Sequence, residues 1–167
     1  MGRNLHQSLT ESLGNAGREY QRALDLFDET AAAHLGVNRT DLRCLDVLTQ
    51  MGQATPGELA SAVGLTSGSV TAMLDRLEHQ GYVTRSSDSS DGRQRSVRPT
   101  PKVLDAVAKI WGPLVQEGGR ILEKYSSSEL KLILGFLDRI RDLQIAHTER
   151  VRRLASRPTG RKSRSRD

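Results

Sequence analysis

A single cysteine, Cys44, stands among 167 residues, so no internal disulfide is available. The four histidines, at 6, 34, 79 and 147, are scattered, and no Cys/His grouping has metal-ligand spacing. Aromatic residues make up 4% of the chain and hydrophobic residues 36%, both low values. An extended helical molecule whose core is finished by a partner accounts for that scarcity. No apolar run approaches membrane-spanning length, and the N-terminus lacks a signal peptide's apolar segment. A cytoplasmic protein without membrane association is therefore expected. There is no nucleophile–base pair and no phosphate-cradling glycine loop, so neither an enzyme nor a cofactor is expected. The run from Asp88 to Gly92 has the wrong ligand spacing for calcium and lacks the closing Glu.

Charge is plentiful and uneven. Residues 155–167 carry a net of +4 out of the chain's +5, on a stretch of Arg, Lys, Ser, Pro and Gly that reads as a basic disordered tail. The body before it is close to neutral. Within that body, residues 85–102 hold five basic residues (85, 93, 95, 98 and 102) against two acidic ones (88 and 91).

That basic patch closes the stretch around which the chain is organised, Thr55 to Lys102. Thr55-Pro56-Gly57-Glu58 is a helix start, with a hydroxyl cap, a proline at the first position and a Glu placed for a capping box. Leu59, Ala60, Val63 and Leu65 give a short apolar face, and Gly64 ends the helix. A second helix opens at Thr66 or Ser67 and carries Val70, Met73, Leu74 and Leu77 on one side. Its other side shows Thr66, Ser67, Gly68, Ser69, Thr71 and Ala72, followed by Asp75 and Arg76. Small residues let a helix backbone approach a duplex closely. Its N-terminal amides favour phosphate, and the Thr71 and Ala72 methyls suit a thymine methyl. Tyr82 to Arg85 is β-prone, a polar loop runs from Ser86 to Gly92, and Arg93 to Arg98 reads as the return strand. Arg85, Arg93, Arg95 and Arg98 equip this hairpin for phosphates or a narrow minor groove. Helix, turn, helix and basic hairpin in that order point to DNA.

The run GELASAVGLTSGSVTAMLDRLEHQGYVTR followed by Asp88-Ser89-Ser90-Asp91-Gly92-Arg93 resembles the winged-helix core of the MarR family of bacterial transcription regulators. The second segment is similar to the family's wing motif Asp-x-Arg-Asp-x-Arg, with Ser90 where an Arg is common. The resemblance extends over roughly residues 20–150. It implies that Arg93 enters the minor groove and that Asp88 and Asp91 shape the wing. It also implies a homodimer, a pseudo-palindromic double-stranded operator, and a small aromatic effector seated near the dimer helices.

The flanks fit that plan. Leu5, Leu9, Leu13, Ala16, Tyr20, Ala23, Leu24, Phe27 and Ala31 form a long helical stripe. A second helix from about Thr40 carries Leu42, Leu45, Val47, Leu48 and Met51. Past the wing, Pro101 starts a helix in which Pro113 is expected to bend or break the chain near Ile110 to Gly112. Ser126 to Glu129 is another capping box. The last helix places Leu130, Ile133, Leu137, Ile140, Gln144, His147, Val151 and Leu154 near a seven-residue repeat. The expected fold is mainly α: a winged helix-turn-helix DNA-binding lobe over about 38–102 with a two-stranded β-wing at 85–98. Its recognition helix is 66–80. Dimerisation helices over about 3–35 and 103–154 flank the lobe within a single domain, 1–154. Trp111, Tyr20 and Tyr125 read as core or interface residues, with an effector pocket as the other use. Cys44 reads as a buried inert thiol rather than an oxidant sensor. The expected function is a dimeric, sequence-specific repressor released by an effector. A non-specific architectural DNA binder and a winged-helix protein-interaction module are the alternatives.

Overall fold

A computed structural model describes residues 2–87 and 95–155. The chain order is α1 (Gly2–Leu35), α2 (Arg39–Met51), α3 (Pro56–Val63), α4 (Ser67–His79), β1 (Val83–Ser87), β2 (Arg95–Pro99), α5 (Pro101–Leu122) and α6 (Ser127–Ala155). It falls into two units, one running to Pro113 and the other beginning at Leu114.

In the first unit the boundaries of α2, α3 and α4 have local chemical causes. Asn38 caps α2 by accepting from the Asp41 backbone N–H at 2.9 Å. At α3 the Thr55 hydroxyl accepts from the Glu58 N–H at 3.2 Å, while the Glu58 carboxylate accepts from the Thr55 N–H at 2.7 Å. The expected capping box is present. Gly64 closes α3 at φ 70°, a left-handed conformation that a β-carbon would strain, and hands the chain to Thr66, the cap of α4.

The core of this unit gathers one face of each short element. Leu45 and Leu48 from α2, Leu59 and Val63 from α3, and Val70, Met73, Leu74 and Leu77 from α4 are buried with Val83, Val97 and Val103. A smaller cluster joins Ala31, Ala32 and Leu35 of α1 to Leu42, with Ile110 and Trp111 packed against it. Phe27 meets Trp111 edge to face, ring centroids 5.7 Å apart.

The two strands pair antiparallel with Val83 opposite Pro99 and Ser87 opposite Arg95. Strand boundaries differ from the expectation in a physically legible way. Tyr82 leaves the strand and turns into the core, where its hydroxyl donates to the Leu35 carbonyl at 2.8 Å. Ser86 and Ser87, expected in the loop, extend β1, and the Ser86 and Ser96 hydroxyls meet across the pair at 2.8 Å. Ala54 adds a third, single-residue bridge to Val97, with backbone bonds of 3.0 and 2.8 Å. Pro113 does not break α5, which runs unbroken from Pro101 to Leu122. The proline removes one backbone donor, and the helix continues through it.

The second unit holds the end of α5 and all of α6. Ser126 and Glu129 form the expected capping box, the carboxylate accepting from the Ser126 N–H at 2.8 Å. None of its residues from 114 to 154 is buried. Leu137, Ile140, Val151 and Leu154, on the expected seam, are all exposed.

Candidate nucleic-acid interface

Helix α4 presents two faces of opposite character. Val70, Met73, Leu74 and Leu77 are buried, whereas Ser67, Gly68, Ser69, Thr71 and Ala72 are exposed together with their cap, Thr66. The polar members of the exposed face bond only to their own turn. The Thr66 and Ser69 hydroxyls lie 2.9 Å apart, and the Thr71 hydroxyl donates to the Ser67 carbonyl at 3.1 Å. A β-carbon at Gly68 would meet nothing within 4 Å, so the face is open space.

Two expected DNA-contacting arginines are engaged within the protein. Arg76 donates to both carboxylate oxygens of Asp41, from Nη2 at 2.6 Å and from Nε at 3.1 Å. Those bonds raise the guanidinium pKa above its ordinary value. Arg85, in β1, pairs with two carboxylates on α4, Asp75 at 2.5 Å and Glu78 at 3.3 Å. It thereby ties the base of the hairpin to the helix. Arg98 donates from Nε to Gln53 at 2.8 Å. The wing residues Asp88, Asp91 and Arg93 lie outside the described residues. Arg95 contributes backbone to β2, but its side chain also lies outside the description.

Asp41 is the residue the sequence did not single out. An acidic residue in a helix's first turn is ordinary, and nothing local signals a partner 35 positions away.

The C-terminal end of α4 is fastened to α1. The Gln80 amide donates to the Gly36 carbonyl at 2.8 Å, beside the Tyr82 bond to Leu35. Lys102 closes the same corner, donating to the Gln80 carbonyl at 2.7 Å with its ammonium 4.7 Å from the Tyr82 ring centroid.

Elsewhere in this unit, a cleft of about 310 Å³ is lined by Asp28, Arg39, Leu42, Arg43, Asp46 and Trp111. It combines both charge signs with one indole. No group of three or more His, Cys, Asp and Glu able to hold a metal occurs among the described residues. No described helix is long and apolar enough to cross a membrane.

Cys44 is fully buried, and its thiol is pushed up to about 11, first by burial and then by the Asp41 carboxylate. Both effects disfavour the thiolate, so the reactive form appears only as pH approaches that value. Native-state labelling by iodoacetamide at pH 8 is expected to be at least ~100-fold slower than labelling of the denatured chain. Rapid native labelling that abolished DNA binding would overturn the inert reading in favour of an oxidant sensor.

A helix-turn-helix followed by a two-stranded hairpin defines a winged-helix protein, and known proteins agree. The MarR family model matches residues 37–94. An uncharacterized HTH-type transcriptional regulator of Bacillus subtilis (strain 168), YcgE, is 33% identical over 150 residues, covering 90% of this chain and 97% of that protein. Among solved structures, a mutant of S. aureus MepR bound to an oligodeoxyribonucleotide superposes with a TM-score of 0.57 at 16% identity, covering 79% of this chain and 97% of that one. NadR in complex with 4-hydroxyphenylacetate does so with 0.58 at 20% identity, covering 77% and 91%. The chain belongs to the MarR family: it is a DNA-binding transcriptional regulator.

Proposed function

We propose that the protein is a homodimeric, sequence-specific repressor whose two α4 helices enter successive major grooves of a pseudo-palindromic operator. The observation that carries this is the open face of α4, where Thr66, Ser67, Gly68, Ser69, Thr71 and Ala72 stand exposed on a helix whose opposite side is fixed in the core. Arg76 and Arg85 flank that face. The wing, with Arg93 and Arg95 shaped by Asp88 and Asp91, follows the minor groove alongside.

Residues 1–154 act as one functional domain in this scheme, with residues 155–167 adding charge-driven affinity for any duplex. The exposed apolar stripes support dimerisation. Leu5, Leu9, Leu13 and Tyr20 of α1 are each more than half exposed, as are Leu137, Ile145, Val151 and Leu154 of α6. Single exposed apolar residues are ordinary, but repeated ones along a helix face mark a contact surface. The mixed-charge cleft beside Trp111 supports an effector that pairs a small aromatic ring with a charged group. In this reading the protein works in the cytoplasm, on DNA.

Selection of random duplexes on the purified full-length chain at about 150 mM salt tests the core of the scheme. The expected product is a two-fold-symmetric motif whose half-sites lie about one helical turn apart. Retention of DNA without any shared motif would favour an architectural binder instead. No retention would favour a protein-interaction module.

A further inference from the structure

We infer that the Asp41–Arg76 pair sets the orientation of α4 on α2, making Arg76 a positioning residue and not a DNA contact. The inference rests on the assignment of α4 as the recognition helix. Asp41 is buried, its side chain only 3% exposed, while the Arg76 side chain is 49% exposed. Solvent exposure alone would nominate Arg76 for DNA. Its bonding says otherwise.

Arg76 meets both oxygens of Asp41 side-on through Nε and Nη2, and its Nη1 donates to the Ala72 carbonyl at 3.2 Å. A two-point fork fixes the plane of both groups, which a point charge does not do. Asp41 is itself held at the start of α2, where its N–H bonds to the Asn38 cap. For Arg76 to swing out to a phosphate or base it would have to abandon a buried carboxylate. A buried charge stripped of its partner is more costly than one exposed contact is favourable.

The placement of the bonds explains what the pair does. The C-terminal end of α4 is fastened to α1 through Gln80 and Tyr82. Among the described residues, the Arg76 fork is the side-chain hydrogen bonding that joins α4 to another helix, and it lies one turn from Ser67 to Ala72. Without it, the first turns of α4 can shift against α2, displacing the face that meets DNA, while the Arg85 pairs to Asp75 and Glu78 and the buried face of α4 keep the lobe assembled. Loss of specific binding without loss of fold is the expected signature.

The test uses the full-length chain, a duplex carrying the selected motif, and a scrambled duplex of equal length. Asp41→Asn and Arg76→Lys are each expected to weaken binding to the motif duplex about tenfold or more, because both lose the fork. Binding to the scrambled duplex should stay within about twofold, since that affinity follows phosphate charge. Amide exchange across α4 in the DNA-free protein should accelerate more than in α3. If Arg76 touched DNA directly, Asp41→Asn would free the guanidinium and remove a nearby negative charge. Affinity would then hold or rise, and Arg76→Lys would keep most of it. Either result overturns the proposal.

Gly68→Glu separates this outcome from failure of the α4 assignment, since it adds charge to the exposed face two turns from Arg76, where a β-carbon meets nothing within 4 Å. If Gly68→Glu binds the motif duplex normally, α4 does not meet DNA. Exchange then decides: faster α4 exchange in Asp41→Asn upholds the tether, and unchanged exchange refutes it. Should Asp41→Asn lose its helical circular dichroism, Arg76→Lys carries the same comparisons with the charge retained.

Discussion

Leu48→Ala is expected to lower the unfolding free energy by about 2–5 kcal/mol, the range for truncating a fully buried leucine. Leu48 has no accessible surface and sits in the cluster joining α2, α3, α4 and the hairpin. The loss has two parts: the side chain's transfer free energy, and the cavity left among helices too short to collapse around it. Against a domain stability of about 5–15 kcal/mol, that is a large fraction. Urea denaturation at one fixed protein concentration measures it, because dimerisation of the kind proposed makes apparent stability depend on concentration. A shift below about 0.5 kcal/mol would show that this cluster is not the core that holds the lobe together.

The second large effect concerns α1. Replacing Leu9 and Leu13 together with Glu is expected to convert the proposed dimer into monomers at micromolar concentration. The two side chains are 61% and 55% exposed in the isolated chain, four residues apart on one face. Burying two carboxylates in an apolar interface is prohibitive unless they are paired. The lobe's own core does not use either leucine, so its helical signal should survive. Monomers reach one half-site at a time, and losing the linkage between two half-sites should weaken operator binding by about 10²-fold or more. Light scattering and operator titration read the two outcomes separately. A double variant that stays dimeric would remove α1 from the interface.

The lobe was legible in the sequence because its signals are local. The cap at Thr55, the glycine stop at Gly64, and the apolar spacing of Val70, Met73, Leu74 and Leu77 each act within a few residues, as does the Ser126 cap of α6 outside the lobe. Periodicity marked Leu137 and Ile140 as apolar seam positions, and both are exposed in the single chain. What escaped was long-range. Asp41 and Arg76 are unremarkable where they stand, and only the fold brings them together. The bonds from Tyr82 and Gln80 to the end of α1 were hidden in the same way. Strand ends were also misplaced, since a β-prone tyrosine was claimed by the core and two serines by the ladder. The exposed α4 residues share one face in the structure as their spacing indicated, because burial follows periodicity. The occupation of Arg76 and Arg85 by carboxylates did not follow from it.

The hydroxyls on the open face of α4 bond only within their own turn, and Gly68 has empty space around it. The lettering is thus separate from the type that holds it. Exchanges at Ser67, Gly68, Ser69 or Ala72 disturb no cross-helix bond and no buried apolar contact, so if α4 reads the operator as proposed, a lineage can drift from one operator to another with little threat to its folded state. Changes at Asp41 or Leu48 have no such latitude. Divergent target sequences on an unchanged scaffold are what this division permits.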